Sequence, residues 1–115
     1  MTKLLTRKSR KYFVLHEARL GHYGVMPHYS VYGPYTDESY ARKIVRDLAQ
    51  VHGGHVWRGM NEYTHRHYVT GLLNVHYVRV IPVPAYDNDG HGYHTTDSRG
   101  HTINLSYLAK KYDWS

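Results

Sequence analysis

The chain has 115 residues, a formal charge of +6 with histidine neutral, no cysteine, and 13 tyrosines and 11 histidines against a single phenylalanine. That length suits one domain with a modest core, and the lack of cysteine excludes a disulfide framework and thiolate metal ligation. No stretch approaches the ~20 consecutive apolar residues of a membrane-spanning helix, and no apolar run follows the basic first residues, so the chain reads as cytoplasmic with no membrane partner.

Residues 1–11 carry Lys3, Arg7, Lys8, Arg10 and Lys11 and read as a basic arm ahead of a single α+β domain over 12–115. Residues 12–17 alternate, with Phe13 and Leu15 on one face and Tyr12, Val14 and His16 on the other. This predicts a strand with one well-buried side. Gly21 and Gly24 mark a turn, and 25–32 reads as a second strand whose Pro27 favours a sheet edge. After a turn at Gly33-Pro34 comes the main amphipathic helix, over 36–52. Thr36 is its expected N-cap, and Asp37 and Glu38 suit the positive end of the helix dipole. Tyr40, Ala41, Ile44, Val45, Leu48 and Ala49 form one apolar stripe, and Gly53-Gly54 supplies residues that accept positive φ at the helix end.

Residues 55–58 read as a short third strand and 61–66 as a polar loop. The stretch 68–83 is rich in β-branched and aromatic residues, with a break at Gly71 and a strong strand over 74–83 closed by Pro82 and Pro84. Residues 87–90 form a turn, the segment to Gly100 is loop-like, and Leu105, Leu108, Ala109 and Tyr112 predict a short C-terminal helix. The expected fold is α+β: a small, mostly antiparallel four-stranded sheet, the main helix on one face, and the short C-terminal helix. The expected core is Phe13, Leu15, Tyr40, Ile44, Val45, Leu48, Val56, Val78, Val80, Leu105 and Leu108. Val31-Tyr32-Gly33-Pro34-Tyr35, the helix, and Gly53-Gly54-His55-Val56 together resemble a unit of SPOR-type and other ferredoxin-like domains. The resemblance bears on fold alone, and no function is carried across.

Tyrosine and histidine both pair a flat body that buries with a polar tip that needs a partner. With the positive charge, this points first to a non-catalytic protein that binds nucleic acid, DNA or RNA. Lys3, Arg7, Lys8, Arg10, Lys11, Arg42, Lys43 and Arg46 would meet phosphates, while Tyr29, Tyr32, Trp57, Tyr68 and Tyr77 would stack on bases. The alternative is a protein-interaction module, an accessory protein of the viral or phage kind. Its partner would be an acidic protein or a second copy paired through an edge strand. Trp57, Arg58, Met60, Tyr63, Arg66 and Tyr68 are the anchor candidates.

Two minor readings involve histidine. His65-x-His67 places two imidazoles on one side of a strand, His52-x-x-His55 straddles the helix end, and His91-x-x-His94 lies beside Asp87 and Asp89, so a metal site could form where the fold joins them. With so many histidines such spacings arise by chance, and no cofactor is assigned. His28-x-Ser30 and His94-x-Thr96 match the His-x-Ser/Thr pattern of two-histidine phosphoesterases, in which paired imidazoles act as general acid and base. Residues 104–112 look like the first helix of a helix-turn-helix. No recognition helix follows, so they read as a packing helix. There is no glycine-rich phosphate loop or nucleophile elbow, and catalysis is the minority expectation. Histidines buried neutral would make the fold less stable near pH 5 than near pH 7.5.

Overall fold

The computed structural model describes residues 10–21, 27–53, 60–69, 71–86 and 90–111. In chain order the elements are β1 (Arg10–Leu20), β2 (His28–Tyr35), α1 (Glu38–Val51), β3 (Glu62–Val69), β4 (Leu72–Pro84), β5 (His94–Thr96), β6 (Thr102–Asn104) and α2 (Leu105–Lys111). The first four strands make one antiparallel sheet in the order β2-β1-β4-β3, and β5 and β6 form a separate antiparallel pair. The α+β class, the four-stranded antiparallel sheet and both helices are as the sequence predicts.

The sheet has two covered faces because both alternating sets of β1 are apolar. On one face Val14, Val78, Val80 and Tyr63 lie beneath Ala41, Val45 and Ala49 of α1, with Tyr12, Tyr32, Tyr35, Ile44 and Leu48 around them. On the other, Phe13, Leu15, Val31 and Val83 meet Ile103, Leu105 and Ala109 from the last segment, with Tyr29, Ile81, Tyr93 and Leu108 packed alongside. A strand with one buried side was expected for β1. Phe13, Val14 and Leu15 are instead all fully buried, because the segment after β4 folds back as a third layer. Burying one such side chain is worth roughly 1.5–3 kcal/mol, so the second face adds substantially to the core.

Several boundaries differ from the sequence reading. Arg10 and Lys11 belong to β1, where they pair with Pro84 and Val83, and not to a separate arm. The N-cap of α1 is Asp37, one residue after Thr36. Its backbone is extended, and its Oδ1 accepts a hydrogen bond from the Ser39 N–H at 2.9 Å. Gly33-Pro34 is a cis peptide inside β2 and not a turn after it. Gly33 has φ +111°, and a Cβ there would meet the Tyr12 carbonyl oxygen at 2.8 Å, so glycine is required on both counts. Pro82 and Pro84 lie within β4, where the strand runs past the end of β3, so that edge asks for no N–H from them.

The polar loop expected over 61–66 is the start of β3, and the hairpin turns near Gly71, where the break was expected. The strand expected at 55–58, and with it Val56 of the expected core, lies outside the described residues. Tyr40, also placed in that core, is 49% exposed and packs edge-on against Tyr35. α1 joins β2 and β3, the two outer strands of the sheet, and these run in opposite directions. A ferredoxin-like βαβ unit needs parallel strands, so the resemblance does not extend to this topology.

Candidate metal centre

Two strands carry a histidine one alternation beyond a core valine: Val14-Leu15-His16 on β1 and His76-Tyr77-Val78 on β4. Antiparallel pairing sets His16 opposite Val78 and Ala18 opposite His76, so both imidazoles emerge on the α1 face just past the valine layer. His16 Nε2 and His76 Nδ1 lie 2.9 Å apart, one of them carrying the shared proton. α1 ends at the same place. His52 is its C-cap and donates its backbone N–H to the Leu48 carbonyl, and its ring stacks on His76 with centroids 4.0 Å apart. The available nitrogens of His16, His52 and His76 all lie within 4.8 Å of one another.

β3 extends the cluster. His65 pairs with His76 and His67 with Asn74, on the same face. His67 lies parallel to His76 at 5.7 Å and stacks on His65 at 5.0 Å, which in turn stacks on Tyr63 at 6.0 Å. The Nδ1 of His67 is buried and has no hydrogen-bond partner among the described residues. A buried polar nitrogen left unpaired is costly, and marks a place where a ligand or ion would be stabilised.

Burial sets the charge of the cluster. Burial, then repulsion from the neighbouring histidines, pushes His76 down to about 4; burial and the proximity of His52 push His16 down to about 4. Burial and the neighbouring His65 and His67 lower His52 as well. Near neutral pH the three imidazoles are therefore uncharged, the form that ligates a metal. α1 has no basic residue in its last turn. Its C-terminal carbonyls thus present uncompensated negative partial charge beside the imidazoles, which favours a cation there.

On the opposite face a second polar cluster is fully used for structure. Glu17, 2% exposed, accepts from the Ser98 N–H at 2.9 Å, the Ser98 hydroxyl at 2.6 Å and Arg19 Nε at 2.6 Å. Asp97, 5% exposed, accepts from the Tyr29 hydroxyl at 2.5 Å and from the N–H groups of Arg99 and His101 at 2.9 and 2.8 Å. Burial alone would raise the Asp97 carboxyl, but these hydrogen bonds outweigh it and hold it well below the usual range. Burial, then the bond to Asp97, pushes the Tyr29 hydroxyl up to about 12. The cluster clasps the β5–β6 hairpin to β1.

Of the histidines singled out in the sequence, His65 and His67 join the centre, while His91 and His94 lie in the segment that covers the other face. The two His-x-Ser/Thr motifs are likewise apart. His28 and Ser30 stand on the edge strand β2, in register with Ala18 and His16 on the α1 face, whereas His94 and Thr96 form β5 beyond the other face. Of the phosphate-contact candidates, Lys3, Arg7 and Lys8 lie outside the described residues. Arg42 pairs with Glu38 and Lys43 with Asp47 along α1, and Arg46 is half-buried.

Of the base-stacking candidates, Tyr29, Tyr77 and Tyr68 share the sheet face away from α1, whereas Tyr32 lies on the α1 face. Tyr29 bonds to Asp97, Tyr32 packs against the α1 core, Tyr77 is half-buried on β4, and Tyr68 is exposed at the far end of β3. Among the anchor residues Tyr63 is buried under α1, and Met60, Arg66 and Tyr68 are exposed. Trp57 and Arg58 lie outside the described residues. His16 and His76 were missed as ligands because their shared Val/His alternation becomes informative only once β1 is known to pair with β4. Family models, curated proteins and solved structures offer no match to the chain.

Proposed function

We propose that this chain is a non-catalytic binding protein whose structured site takes one divalent transition-metal ion of the zinc, cobalt, nickel or copper class on His16, His52 and His76. The observation that carries this reading is the convergence of three ligand nitrogens within 4.8 Å at one end of the helix. A tetrahedral site with metal–nitrogen bonds of ~2.0–2.1 Å places its nitrogens about 3.3 Å apart. From the arrangement seen, the widest pair closes by at most about 1.5 Å and the hydrogen-bonded pair opens slightly. An all-imidazole set suits borderline metals and disfavours calcium and magnesium, which require oxygen ligands. His67, with its unpaired Nδ1, is the candidate for the fourth position.

Cobalt(II) titration of protein purified without a histidine tag tests this reading. The expected result is visible absorption typical of tetrahedral coordination, saturating at one equivalent. It is lost in His76→Ala and weakened about tenfold or more in His67→Ala. Absence of binding, or binding unchanged in His76→Ala, would make the cluster a packing feature.

A second reading, polyanion binding, is supported by the +6 charge of the whole chain and by the exposed Arg10, Arg66 and Arg99. Fluorescence anisotropy with single- and double-stranded DNA and RNA across a salt series checks it. Binding should weaken with a log–log slope of about 0.7–0.9 per phosphate contacted. Absence of binding at low salt would leave the charge as a solubility feature.

A further inference from the structure

The sheet has two outer strands, and they are protected differently. β2 contains Pro34 and has α2 packed near it. β3 is eight residues long, Glu-Tyr-Thr-His-Arg-His-Tyr-Val, with no proline or glycine, and among the described residues no strand pairs with its outer edge. Unprotected edges of this kind template pairing with another strand. The ladder with β4 shows which backbone groups face outward. Val80 N–H donates to the Asn61 carbonyl at 2.8 Å, so Asn61 points inward. By alternation the N–H and C=O groups of Glu62, Thr64, Arg66 and Tyr68 point away from the sheet.

The side chains of those same residues form a self-complementary row. Glu62, Thr64, Arg66 and Tyr68 are all exposed, on the face away from α1. In an antiparallel pairing of two β3 strands about a two-fold axis at Thr64, Glu62 falls opposite Arg66 of the second copy and Arg66 opposite its Glu62. Met60, 44% exposed, falls opposite Tyr68, 74% exposed. Shifting the axis to His65 sets Glu62 against Tyr68 and loses both ion pairs, and shifting it to Arg66 sets arginine against arginine. One register therefore satisfies backbone hydrogen bonding, charge and apolar contact together.

We infer that β3 is the interface of a symmetric homodimer, two copies joining their sheets edge to edge about Thr64 with Glu62 and Arg66 paired across the axis. The joined sheet then runs continuously through eight strands, and the α1 faces of the two copies lie on the same side. The inference is independent of metal binding, because the side chains of Glu62, Thr64, Arg66 and Tyr68 lie on the face opposite the histidine centre.

Size-exclusion chromatography with light scattering on the full chain tests it, with circular dichroism confirming that each variant is folded. The expected mass is twice 13.5 kDa. Glu62→Arg and Arg66→Glu each weaken the dimer about tenfold, and the double swap E62R/R66E restores it. The chain has no cysteine, so a single introduced thiol is a clean probe. Thr64→Cys, on the axis, should form an intermolecular disulfide under mild oxidation much faster than Glu62→Cys. A monomer at millimolar concentration, a dimer indifferent to both charge reversals, a folded double swap that stays monomeric, or equal crosslinking of the two cysteine variants would each overturn the assignment.

Discussion

An imidazole is cheap to bury only while neutral, and in this chain five of them sit together where α1 ends. Because His16 and His76 are pushed from 6.5 down to about 4, the folded protein resists protons that the unfolded chain accepts. Their stabilising contribution is therefore fully present above about pH 6.5 and is lost as pH falls toward about 4. The melting temperature should drop by at least about 5 °C between about pH 7.5 and about pH 5, and the drop should be largely absent in the double variant His16→Leu, His76→Leu. A thermal scan that is flat over this range in the natural chain would contradict the burial of neutral imidazoles. Asp97 behaves oppositely to an ordinary buried acid. Its lowered value keeps the clasp intact through this window, so the loss near pH 5 belongs to the histidines.

At the level of elements, the third layer is held, beside its apolar contacts, by the pairing of one short polar loop with β1 and β2. Glu17 and Arg19 on β1 and Tyr29 on β2 project from the sheet, and residues 97–101, between β5 and β6, supply Asp97 and Ser98 to meet them. Truncating Asp97 removes a part-buried carboxylate that accepts from the Tyr29 hydroxyl and from the backbone N–H groups of Arg99 and His101. Asp97→Ala should cost roughly 3 kcal/mol or more in chemical denaturation, whereas removing the exposed Asp47 partner of Lys43 should cost well under 1 kcal/mol. Equal effects would show that the clasp is not buried as described.

The same comparison of elements shows what local patterning can reveal. The apolar stripe of α1, the alternation in β1 and the β-branched run of β4 were readable because each element advertises its own period. Residues 61–66, which begin β3, read as a loop because the inward positions of that strand are Tyr63, His65 and His67. These residues count as polar by type yet behave here as the buried set of an alternating strand. Glu17 and Asp97 stand far apart in sequence and carry no local signal of meeting.

At the scale of the whole molecule, the layers divide the labour. The β5–β6 hairpin and α2 close one face, α1 closes most of the other, and the helix ends over the histidines, with His52 stacked on the buried His76. Had α1 run one turn further with apolar residues, that surface would be ordinary core. It stops at His52, and the helix terminus brings both a third imidazole and the negative end of its dipole to the spot. The spacing of His65 and His67 was legible as a ligand pair, but their true neighbours were set by sheet order, which no short-range pattern encodes. The most direct measurement is the zinc content of tag-free protein after loading and exhaustive dialysis, compared with a His76→Gln variant of equal helicity. The account predicts close to one zinc per natural chain and little in the variant; an unloaded natural chain, or equal zinc in both, would contradict it.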